Sequence, residues 1–121
     1  MKRTVVAAVD DLFFAGKIRA AAEHESVELY FPRSLEAVIS TARDKKADLI
    51  IADLQSEKLD AIALAKQVKS DEHLRGAVLV GFYSHVLTHL EQEARAAGYT
   101  KLLPRSAFSR NLVDILRGSI D

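Results

Sequence analysis

Short, nearly unbroken apolar runs alternate along this chain with longer segments in which apolar residues recur every three or four positions. Three of the runs, Thr4 to Val9 (TVVAAV), Leu49 to Ala52 (LIIA) and Ala77 to Phe82 (AVLVGF), contain almost no polar residue. A strand that is apolar throughout needs cover on both faces, so these three are expected at the centre of a parallel sheet. Val27 to Phe31 (VELYF) is interrupted by Glu28, and Lys101 to Leu103 (KLL) is short with polar flanks, which places both at the edges. Between the runs, Phe14, Ile18, Ala21 and Ala22 lie at helical spacing, as do Leu35, Val38, Ile39 and Ala42, and then Ala61, Leu64, Ala65 and Val68. A fourth helix is marked by Thr88 and Glu91 as a capping box, by a stripe of Leu90, Ala94 and Ala97, and by Gly98 as its stop. A last helix carries Leu112, Ile115 and Leu116 and ends near Gly118.

Strand and helix alternating five times predict an α/β, doubly wound parallel sheet with right-handed crossovers and helices on both faces. The 121 residues lie near the usual size of one domain, and no Pro/Gly/Ser-rich linker interrupts them, so a single domain over 1–121 without an effector domain is expected. Charge adds exclusions. Seventeen Lys and Arg balance seventeen Asp and Glu, which removes the counterion-release drive of a general nucleic-acid coat. The absence of cysteine rules out disulfides, thiolate catalysis and cysteine-held metals, and is compatible with the cytoplasm, the expected location. The first apolar run stops at Asp10-Asp11, too early for a signal peptide, and no uncharged stretch is long enough to span a bilayer. No membrane or nucleic-acid partner is therefore expected.

In sheets of this kind ligands bind beyond the carboxyl ends of the strands, and those positions are polar here. Asp10 and Asp11 follow the first run, Asp53 the third, Tyr83, Ser84 and His85 the fourth, and Arg105 the fifth. Single acids end strands because strand ends face water. Acids, a hydroxyl and a cation gathered at one edge point to a site. Three neighbouring carboxylates repel one another unless a cation offsets them, and Mg2+ suits oxygen ligands and completes its shell with phosphate.

With these residues the chain resembles the response-regulator receiver family over essentially its full length, through VVAAVDD, LIIADL and ARAAGYTKLLPRS. The resemblance implies a CheY-like, flavodoxin-like sheet of strand order 2-1-3-4-5. It further implies an aspartate phosphorylated by a histidine kinase, a phosphotransfer protein or a small phosphodonor, with signalling through a downstream protein target. Asp53 matches the phospho-acceptor, Asp10 and Asp11 the acidic pair that holds Mg2+ with it, and the Gln55 backbone carbonyl the ligand two residues on. A carboxylate can act as nucleophile toward phosphorus when the transferring oxygens are neutralised, and a hydroxyl and a cation on later strands would sense the new charge. This describes a switch and not a turnover enzyme. A homodimer through the fourth and fifth helices is a candidate assembly.

The chain also departs from the family. Ungapped counting puts Tyr83 at the family's Thr/Ser position with Ser84 next to it, so either Ser84 takes the hydroxyl role after a one-residue shift or Tyr83 packs there. Arg105 replaces the family lysine, keeping the charge but as a planar fork able to lie over Asp53 as a permanent counter-ion. Ser106 replaces the proline, and since a cis bond without proline costs about 2.5–4 kcal/mol, trans is expected. Leu102 replaces the aromatic of the fifth strand. These changes leave open a second reading, a pseudo-receiver that acts as an interaction module without phosphorylation.

Other candidates carry less. A lone loop histidine such as His85 is ordinarily a polar surface residue, and His24, His73 and His89 lack metal-ligand spacing. Phe13 and Phe14 are either an exposed docking patch or core. Gly16-Lys17 lacks the glycine and hydroxyl of a P-loop, and the acidic strand ends would repel a flavin phosphate.

Overall fold

A computed structural model of the chain describes residues 2–84 and 88–118, without the side chain of Thr88. Five parallel strands form one sheet in the order β2-β1-β3-β4-β5. They are β1 (Arg3–Ala8), β2 (Val27–Tyr30), β3 (Leu49–Asp53), β4 (Val78–Tyr83) and β5 (Lys101–Pro104). The three apolar runs are the three central strands and the two interrupted ones are the edges, as their patterns require. Among the described residues six helices connect and cover them: α1 (Leu12–Ala22), α2 (Leu35–Asp44), α3 (Ala61–Ser70), α4 (Thr88–Ala97), α5 (Arg105–Arg110) and α6 (Leu112–Arg117).

Side chains alternate across the sheet and so build two cores. Val6, Ala8, Ile50, Ala52 and Leu79 face the side packed by Val38, Leu64 and Ala94 of α2, α3 and α4. Val5, Ala7, Ile51, Val80 and Phe82 face the side packed by Phe14, Phe108 and Leu116 of α1, α5 and α6. Gly81 is needed where it stands, because a Cβ there would come within 2.9 Å of Leu54 Cδ2 and 3.1 Å of Leu102 Cδ2. Gly98 ends α4 with φ +128, and its N–H closes on the Ala94 carbonyl.

The last helix stands where its pattern places it, as α6 with Leu112, Ile115 and Leu116 buried and Gly118 at its end, and an unexpected short helix, α5, precedes it: the chain turns helical at Arg105, immediately after β5, and breaks at Asn111, whose amide side chain donates to the Ala107 carbonyl at 2.8 Å. An asparagine bonding back to the preceding turn competes with helix continuation. The expected capping box of Thr88 with Glu91 falls on the Thr88 side chain, which lies outside the described residues.

The core beneath the site is aromatic. Phe82 stacks on Phe14 at 5.0 Å and on Phe108 at 4.5 Å between ring centroids. Phe82→Ala is expected to cost about 3–5 kcal/mol of unfolding free energy, measured by urea denaturation, because it removes the fully buried middle ring.

Candidate functional site

Asp53 is the last residue of β3 and is only 3% exposed. Its carboxylate is held from two directions. Oδ1 accepts from the Gln55 backbone N–H at 2.9 Å, in the turn that follows the strand, and Oδ2 lies 3.5 Å from Arg105 Nη2. Asp11 approaches from the end of β1 and is the N-cap of α1: its Oδ1 accepts from the Phe13 and Phe14 N–H groups at 2.9 and 3.2 Å. Asp11 Oδ2 also lies 3.5 Å from Arg105 Nη2. One guanidinium nitrogen therefore sits between the two acids.

Arg105 reaches this position from the first turn of α5, directly beyond β5. Its guanidinium carbon lies 4.8 Å from the centroid of Phe14 and 5.9 Å from that of Phe82, so the aromatic stack forms its floor. The fit is incomplete, because the buried Nε has no hydrogen-bond partner among the described residues.

Asp10 is exposed and lines the mouth of an open cleft of about 400 Å3 with Asp11, Asp53, Gln55, Lys58 and Arg105. Burial pushes the Asp53 carboxyl above its usual range. The Gln55 N–H and Arg105 oppose that rise, while Asp10 and Asp11 add to it.

The sequence-predicted residues thus divide. Asp10, Asp11, Asp53, Gln55 and Arg105 share one cleft. Ser84 is exposed, and both its N–H and its hydroxyl donate to Gln55 Oε1, at 2.6 and 2.9 Å. Its hydroxyl is therefore spent on the Gln55 side chain, and a chain of bonds runs from Ser84 through Gln55 to Asp53. Tyr83 packs in the core shared with α3 and α4, and burial, reinforced by Glu91, raises the pKa of its hydroxyl. Leu102 is buried against Gly81. The peptide bond between Arg105 and Ser106 is trans. The aromatic pair splits, with Phe14 in the core and Phe13 66% exposed. His85 lies outside the described residues.

For Mg2+ the donor set is tight. Among the described residues no group of three or more acid or imidazole side chains converges on a metal position. Both oxygens of Asp11 and both of Asp53 already have partners, which leaves the Asp10 carboxylate and backbone oxygens. In this arrangement Mg2+ would have to displace Arg105 from both acids.

No protein-family model and no curated protein matches the chain. Solved structures do. The chemotaxis response regulator CheY4 of Vibrio cholerae superposes with a TM-score of 0.84 at 16% identity, over 99% of this chain and 100% of that one. The receiver domain of the sensor histidine kinase PA1611 of Pseudomonas aeruginosa, with a magnesium ion coordinated in its active-site cleft, gives 0.82 at 15% identity over 98% and 97%. The phosphorylated cyanobacterial phytochrome response regulator RcpA gives 0.77 at 18% over 98% and 91%. The chain has the CheY-like receiver fold, and its structural neighbours are response-regulator receiver domains.

The raised Asp53 pKa has a sign that can be checked. The folded state binds this proton more tightly than the unfolded chain, so Asp53 is least unfavourable to folding below the ordinary aspartate range, and that benefit is lost as pH rises through the raised value. Asp53→Asn cannot ionise and still accepts from Gln55. In urea unfolding between about pH 3 and pH 8, its stability relative to the native protein is expected to improve with rising pH. A flat difference would refute the assigned direction.

Proposed function

We propose that the chain is a pseudo-receiver: a non-enzymatic receiver module, acting in the cytoplasm, that signals by binding a protein partner without phosphoryl transfer. The observation that carries this reading is the Arg105 bridge to Asp11 and Asp53. A receiver site needs positive charge between its acids, and arginine supplies it permanently because it does not deprotonate. The aromatic floor under the guanidinium holds it there. Engagement of the Ser84 hydroxyl by Gln55 supports the same reading, since the candidate hydroxyl beyond β4 already donates to an amide oxygen.

Phosphoryl acceptance at Asp53 is the second reading. It is favoured by Asp10, whose exposed carboxylate has no ion pair among the described residues, and by the opening of the cleft beside Asp53. On that reading Asp10, Asp11, Asp53 and the Gln55 carbonyl would hold Mg2+, and Ser84 and Arg105 would face the phosphoryl group donated by a kinase, a phosphotransfer protein or a small phosphodonor. A second copy of the chain, paired through α4 and the last helices, is one partner compatible with either reading.

Incubation with Mg2+ and acetyl phosphate separates the two. The intact mass of the native protein is expected to stay unchanged, and calorimetry with MgCl2 is expected to give no saturable binding at millimolar concentration. Arg105→Ala, which frees the two acid oxygens, should bind Mg2+ at least about tenfold more tightly. A phosphoryl adduct on the native protein that is absent from Asp53→Asn would overturn the proposal and establish the second reading.

A further inference from the structure

Beside the Asp53 cleft lies a second one, of about 340 Å3, between the start of α1, the segment that follows β2 and the turn that follows β3. The two share Asp10 and Lys58. Leu12, Phe31, Pro32 and Leu59 give it an apolar lining, and Leu12 is left 85% exposed. Around this lining stand three cations, Arg19, Arg33 and Lys58, against the single acid Asp10. None of the three has a carboxylate partner within salt-bridge distance among the described residues. Arg19 instead rests on the face of Phe31, with 4.5 Å from its guanidinium carbon to the ring centroid.

Apolar lining and unpaired positive rim define complementary chemistry. A bare inorganic anion would satisfy the rim and leave the lining wet. A neutral apolar molecule would cover the lining while drawing water away from the cations. The volume is at the small end of the usual range for ligand pockets, about 300–1,000 Å3. We propose that this cleft binds a small amphiphilic organic anion, with a flat apolar body over Leu12, Phe31 and Pro32 and its acidic group at Arg33 and Lys58. The proposal does not rest on phosphorylation at Asp53 and stands whichever reading of that residue holds.

The probe is anilinonaphthalene sulfonate, a flat apolar anion whose fluorescence rises on leaving water. The native protein is expected to show one saturable site. The double variant Arg33→Glu, Lys58→Glu should weaken it at least about tenfold, and Leu12→Asp should do so separately. N-phenylnaphthylamine, the uncharged counterpart, should bind at least about tenfold more weakly, and inorganic phosphate at equal concentration should not compete. All three residues are exposed, so circular dichroism melts of the variants should match the native curve. Absence of a saturable site, an affinity unchanged in the double variant, or equal binding of the uncharged compound would each overturn the assignment.

Discussion

A carboxylate at the buried end of the central strand is the constraint around which this sheet edge is arranged. Burying an unpaired charge costs several kcal/mol even after relaxation, so Asp53 demands either a proton or a set of fixed donors. The chain supplies the donors from two places. The turn after β3 folds the Gln55 N–H back onto one oxygen, and the abrupt start of α5 after β5 brings Arg105 to the other. The carboxyl nevertheless stays above its usual range, because burial, reinforced by two neighbouring acids, outweighs what those donors return. The cleft is electrostatically poised and only partly satisfied.

Arginine at this position has consequences that a lysine would not. A flat guanidinium can lie across the rings of Phe14 and Phe82 while one of its nitrogens meets both acids. The same rigidity leaves Nε buried without a partner among the described residues, a cost that a flexible ammonium would avoid. The aromatic stack that stabilises the α1 and α5 side of the core therefore also fixes the charge of the cleft. Packing and electrostatics meet in the same three side chains.

Much of this was legible in the sequence, for identifiable reasons. Fully apolar strands announce burial on both faces, so β1, β3 and β4 were evident as central, and strand ends in a parallel sheet collect at one edge, which gathers Asp10, Asp11, Asp53 and Arg105. What stayed hidden depends on contacts that carry no periodic signal. Asp11 reads as a metal ligand until its role as N-cap of α1 appears, although an aspartate just before an apolar helix is a capping signal and could have shown it. The choice between Phe13 and Phe14 turns on about 100° of helix rotation. The grip of Gln55 on Ser84 and the break at Asn111 arise from side chains reaching across turns, and spacing does not encode them.

The neighbouring clefts give the edge a further property. Lys58 and Asp10 line both, and both are exposed, so charge placed in one acts on the other through an interaction that salt screens. An anion held at Arg33 and Lys58 would add negative charge beside Asp10, one of the two acids that already push the Asp53 carboxyl up. The carboxyl would then bind its proton more tightly, and the pull of Asp53 on Arg105 would weaken. Linkage requires the reverse effect with equal free energy: protonation of Asp53 tightens the hold on the anion. With such an anion bound, the two clefts would act as one electrostatic unit, and a module without phosphoryl chemistry would still have a route by which a bound molecule changes the state of Asp53.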